Sequence, residues 1–226
     1  MQFNKGQLFL IIFIMIGSGQ VIFEFLQFDF WAHIFKALII PALAGYFLSR
    51  NTAGNGALIV VALMLAWLGD LLLIKVDQGY FLMGMASFFG MQVLYIIVYF
   101  KKGVNFEKAM ATKVLLTTAL LGASAYPLWM VLINCGALAP IVGVYGIVLL
   151  LMGMTAIFRL GSTNLSSFIY TGTGAFLFIM SDGIIAYSRF VTPLNANFLV
   201  MLTYISAQGL IIHGLLKHVK FQKIPA

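Results

Sequence analysis

Two aspartates sit where carboxylates are rarest. Asp70 lies in Trp67-Leu68-Gly69-Asp70-Leu71-Leu72-Leu73-Ile74, and Asp182 in Met180-Ser181-Asp182-Gly183-Ile184-Ile185. The chain has only six acidic residues, and these two lie inside apolar runs, each just after a small residue. A carboxylate in hydrocarbon is costly, so it needs a partner, a proton or a purpose. Such a pair is open to an ion pair, a held proton or a functional site facing the interior of a helix bundle. Metal chemistry is disfavoured, because three scattered histidines and the single Cys135 offer no ligand spacing. Ser181 beside Asp182 has no histidine placed to make a triad.

The elements that position these acids follow from composition. Of 226 residues, 62% are hydrophobic and 8% charged, against about 25% charged in a soluble protein. A soluble domain of this size cannot hide so much apolar surface. The chain therefore reads as all-α, a single integral membrane domain over 1–226. Eight apolar runs, each near the ~20 residues that cross the hydrocarbon, fall at 8–25, 31–49, 57–74, 80–100, 113–133, 136–158, 166–188 and 194–216. The first has a basic start and ends in Gly17-Ser18-Gly19, as a signal peptide does, but the apolar run resumes after Gln20, so it reads as a retained helix.

The net charge of +7 invites a nucleic-acid partner. The placement of the cations excludes it, because they lie in short links between apolar runs. Lys5, Arg50, Lys101, Lys102, Lys108, Lys113, Arg159, Lys217, Lys220 and Lys223 fall on one side. Only Lys75 and Arg189 fall in the links of the other, with Glu24, Asp29 and Asp77. The bias puts both termini in the cytoplasm. Lys75, Asp77 and Arg189 read as solvated loop charges.

With that topology, Asp70 and Asp182 lie near the outer ends of runs three and seven. Each run is followed by a helix bearing Gln and Tyr: Gln92 and Tyr95, then Tyr204 and Gln208. A parallel four-plus-four repeat would give that pattern; the identity is slight, and chance similarity among apolar helices gives it too. Lys36 enters run two from the same side. Phe88, Gln92 and Tyr95 share a helix face at i, i+4 and i+7. The simplest arrangement is one pocket in the outer half, holding both acids with Lys36, Gln92, Tyr95, Tyr204 and Gln208 as substrate-binding groups. A second reading stays open for each: Lys36 and an aspartate as a buried packing pair, the glutamines as interhelical glue, and the remaining tyrosines and tryptophans as interface anchors.

The ordered segments Lys36-Ala37-Leu38-Ile39-Ile40-Pro41, Ala66 to Leu73, Phe81 through Gly84, Phe88 and Tyr95, Gly174 to Asp182, and Tyr204 to Gln208 cover nearly the whole chain. The set resembles the YhhN-like family, bacterial relatives of the transmembrane lysoplasmalogenases. One departure stands out: family members carry a His in the fourth helix where this chain has Gln92, which cannot transfer a proton.

The resemblance implies an eight-helix hydrolase in a bacterial inner membrane. It would cleave the vinyl ether bond of lysoplasmalogens to a fatty aldehyde and a glycerophospho-alcohol, with its two buried acids at Asp70 and Asp182. A lysophospholipid from the bilayer would be the substrate, and no cofactor is required. Protonating the enol ether leaves an oxocarbenium ion to which water adds, close to the two-carboxylate logic of glycoside hydrolysis. The rival class is a proton-coupled transporter or lipid-binding membrane protein, which also carries paired intramembrane acids.

Overall fold

The computed structural model describes residues 4–51 and 56–219. Lys220, Lys223 and most of the joint between Asn51 and Gly56 lie outside the described residues. Hydrocarbon offers no partner to backbone N–H and C=O groups, so apolar runs of this length must close their own hydrogen bonds as helices. Eight α-helices form among the described residues: α1 Lys5–Phe25, α2 Asp29–Arg50, α3 Ala57–Leu72, α4 Gln78–Lys101, α5 Met110–Asn134, α6 Ala139–Ile157, α7 Leu165–Phe190 and α8 Asn197–Leu216. Polar side chains start two of them. Asn4 accepts from Gln7 N–H while Gln7 reaches back to Asn4 N–H, and Asp77 accepts from Gly79 N–H at 2.7 Å.

Seven of these helices are long and apolar enough to cross a membrane, which makes the chain an integral membrane protein. The eighth, α3, has 16 residues, or ~24 Å at 1.5 Å per residue, short of the ~30 Å hydrocarbon core.

Seven helices close a ring in the order α1, α2, α3, α4, α6, α7, α8 and back to α1, with α5 outside against α6 and α7. The main apolar core lies within the ring and draws no residue from α5. The expected four-plus-four correspondence is thus uneven. α3 and α7 each carry an acid and each packs closely on the next helix, but α1 belongs to the ring and α5 does not.

Two local features set the spacing around the acids. At Gly174 an added Cβ would lie 2.8 Å from the Ala207 carbonyl oxygen and 2.9 Å from Ile211 N, so glycine lets the α7 and α8 backbones touch. In α2, Pro41 has no N–H for the Ala37 carbonyl. The Trp67 indole N–H donates to that carbonyl instead, at 2.8 Å. This bond ties α3 to α2 beside Lys36, three residues before Asp70.

Candidate active site

Asp70 is buried, with 2% of its surface exposed. It lies two residues before the end of α3. The Tyr204 hydroxyl on α8 donates to its Oδ2 at 2.7 Å. Lys36 on α2 is half-buried and acts on Asp70 through its charge. Beneath Asp70, the rings of Phe88, Phe178 and Tyr204 meet edge to face at 5.9–6.3 Å. Gly69 allows Phe88 this position, since a Cβ there would lie 2.8 Å from the Phe88 ring.

Asp182 sits on the facing helix, α7, within electrostatic reach of Asp70. Its Oδ2 accepts from two donors: the Tyr145 hydroxyl on α6, and Gln92 Nε2 on α4 at 3.4 Å. Gln92 is fully buried, and its Oε1 has no hydrogen-bond partner among the described residues. Ser181 Oγ donates to the Val200 carbonyl at 3.1 Å and fixes α7 against α8 beside the acid. Deeper in the ring, the Tyr95 hydroxyl donates to Gln208 Oε1 at 2.7 Å, and Gln208 Nε2 approaches Met91 Sδ at 3.2 Å.

The cavity lies elsewhere than the sequence placed it. A groove of about 420 Å³ opens between α5, α6 and α7. Its walls are almost wholly apolar, with Leu128, Leu149 and Ile179 typical of them. Asp182 is the one acid on these walls, with Tyr145 beside it. A smaller cavity of about 50 Å³, walled by Phe81, Phe88 and Phe190, shares Asp182 and Tyr145 with the groove. Asp182 stands at the junction of the two. Asp70, Lys36, Gln92, Tyr95, Tyr204 and Gln208 line neither cavity. Apart from the half-buried Lys36, they form the hydrogen-bonded interior of the ring, and Asp182 is where that interior meets the groove.

Sequence reasoning placed the helices α5 and α6 but not their part in the site, and so missed Tyr145. The available signal was depth: Tyr145 lies six residues from the start of α6, level with acids placed near the same end. Pro127 on α5 was a second signal. It removes the N–H that the Ala123 carbonyl would meet, and both residues line the groove. At the opposite end of the bundle, Lys113 and Arg159 are buried rather than solvated. Lys113 Nζ donates to the Asn105 carbonyl at 2.6 Å, and Arg159 donates to Thr171 and Ser167.

A model of the YhhN family matches residues 31–215, a span that holds both acids, Tyr145 and every cavity wall. The chain belongs to the YhhN family. This YhhN-family protein is 34% identical over 172 residues to lysoplasmalogenase TMEM86A of Bos taurus, covering 74% of this chain and 67% of that relative. Lysoplasmalogenase TMEM86B of Homo sapiens is 31% identical over 189 residues, 82% of this chain and 75% of that protein. No solved structure matches. Among the described residues of this YhhN-family chain, Asp182 is an acid held by two donors at the wall of an apolar groove. Such a site can receive a lipid chain and pass a proton to it.

Proposed function

We propose that this protein is a lysoplasmalogenase: a membrane hydrolase that converts a 1-alkenyl lysophospholipid and water to a fatty aldehyde and a glycerophospho-alcohol. The observation that carries the reading is Asp182, the one carboxyl on the wall of a lipid-sized apolar groove, with a second carboxyl behind it. The family and the two named relatives support it.

The chain of the substrate lies in the groove between α5, α6 and α7. Protonated Asp182 gives its proton to the β-carbon of the enol ether, and the electron pair of the C=C bond forms the new C–H bond. The resulting oxocarbenium ion faces the carboxylate just formed. Water adds to the α-carbon and yields a proton to Asp182. Collapse of the hemiacetal breaks the bond to the glycerol oxygen. Asp182 protonates that oxygen and recovers the hemiacetal hydroxyl proton, so the acid ends as it began.

Tyr145 holds the Asp182 carboxyl in place. Asp70 acts through Asp182: two carboxyls in one apolar site cannot cheaply carry two negative charges, so a proton stays with the pair. Tyr204 and Lys36 set the charge on Asp70. Tyr95 and Gln208 brace the floor beneath them.

All eight helices cross a bacterial plasma membrane in this reading, with both termini cytoplasmic and the site in the outer half. The side bias of the basic residues supports this orientation. Any internal repeat is confined to the acid-bearing hairpins α3–α4 and α7–α8. The test is aldehyde release from a defined lysoplasmalogen by the purified protein in liposomes, beside Asp182→Asn. The reading requires release by the first and none by the second; no release by the folded wild-type protein rejects it.

A further inference from the structure

Arg189 was expected among the solvated loop charges, but it belongs to the last turn of α7. Asp182, Ala186 and Arg189 stand at i, i+4 and i+7, one face of a helix. Asp182 and Ala186 line both cavities. Phe81 and Phe190 wall the smaller one, their rings meeting edge to face at 6.0 Å. The Arg189 guanidinium lies over the Phe81 ring, 4.1 Å from its centre. A continuous surface therefore runs from the acid, past Ala186 and over Phe81, to a fixed cation.

We propose that Arg189 is the head-group anchor of this site and binds the phosphate of a single-chain phospholipid whose ether carbon lies at Asp182. The assignment rests on the reaction proposed above and names the part of the substrate that the groove leaves unrecognised. The groove offers almost nothing polar, so it can select a chain but not a head group.

Arg189 makes no hydrogen bond or ion pair among the described residues. Stacking holds a guanidinium by its face and leaves its N–H edge to bind two oxygens in one plane. That is the geometry by which arginine recognises phosphate. Asp77, which starts the helix that carries Phe81, already accepts from Gly79 N–H. Seven residues of helix separate Asp182 from Arg189, about 10 Å along the axis. The glycerol unit and the arginine arm together span that interval.

The test uses the full chain in nanodiscs, with a 1-alkenyl glycerophosphoethanolamine and the 1-alkenylglycerol of the same chain, which has no phosphate. Arg189→Gln should raise KM for the phosphate-bearing lipid about tenfold, the usual worth of a charge-assisted contact. Its kcat should hold, and KM for the alkenylglycerol should not move. Arg189→Lys, which keeps the charge but loses the fork, should fall between. An equal rise on both lipids overturns the proposal, since Arg189 then only packs on Phe81. No rise on either lipid overturns it as well.

A binding arm works without turnover. In the Asp182→Asn protein, a non-hydrolysable 1-alkyl lysophospholipid should raise the melting temperature more than the matching 1-alkylglycerol. Adding Arg189→Gln should erase that difference, and a difference that survives it overturns the proposal. If wild-type protein hydrolyses neither alkenyl lipid, the reaction falls and this arm alone decides the role of Arg189.

Discussion

Replacing each acid by asparagine should produce two very different enzymes. Asp182 reaches the groove and takes part in every proton transfer proposed, whereas Asp70 reaches neither cavity. A positioned general acid or base is worth about 10²–10⁴-fold, and Asn cannot give a proton to carbon. Asp182→Asn should therefore lose about a thousandfold or more in kcat. Asp70→Asn removes only a field acting on its neighbour, for which about 1.4 kcal/mol, or tenfold, is a reasonable scale.

Folding should survive the change at Asp182. Asn keeps an oxygen for the Tyr145 hydroxyl, and its new amide donor meets the unpartnered Gln92 Oε1 once that amide turns. At Asp70, Asn keeps the bond from Tyr204 and removes a buried ionisable group. The assay is aldehyde released per folded molecule in liposomes, beside thermal melting in detergent. Equal losses in the two variants would put both carboxyls on the substrate and refute the division of roles. Near-normal turnover by well-folded Asp182→Asn would refute the mechanism itself. If the acids served only packing, the Asn variants would melt early while the surviving protein kept its rate.

Tyr145→Phe removes a donor to Asp182 and should lower kcat about tenfold or more, the scale of a hydrogen bond to a charged group, with KM little changed; a rate within error of wild type would remove Tyr145 from the site. Gly183 lines the groove, and a Cβ there meets nothing within 4 Å. Gly183→Leu should thus fold normally yet exclude the lipid chain, read as a lost response to lysophospholipid in melting curves; an unchanged response would move the chain out of the groove. Gly174→Ala forces a methyl against the α8 backbone and should cost about 1–3 kcal/mol, so an unshifted melting temperature would contradict the close approach of α7 and α8. A reporter fused at the C-terminus should be active only in the cytoplasm, and a periplasmic signal would invert the topology.

Much of the fold could be read from the chain because hydrocarbon imposes simple rules. Runs of apolar residues must become helices, and all eight formed within a few residues of where the runs lie. The acids could be found for the same reason: Asp70 and Asp182 violate the solvent around them, and a violation is visible without coordinates. The bonds that Tyr204 and Gln92 make to them follow from shared depth in the bundle. Depth along a helix is linear in sequence and could be counted.

What depth cannot supply is the angular order of helices around a bundle, and that decided the rest. Every apolar helix presents a similar face to lipid and to its neighbours, so nothing in the residues states that α5 stands outside the ring or that α6 packs on α4. The groove exists because of that order, and so does the choice of Asp182 over Asp70 as the acid at its wall. Tyr145 was one tyrosine among nine until α6 turned it toward Asp182, and Arg189 was a link charge until α7 ran far enough to set it on Phe81. By itself the sequence determined the solvent of this protein, its helices and the two carboxyls set within its apolar runs, because each depends on local composition. Only the tertiary structure decided which of those carboxyls lines the groove, because that depends on packing between helices distant in the chain.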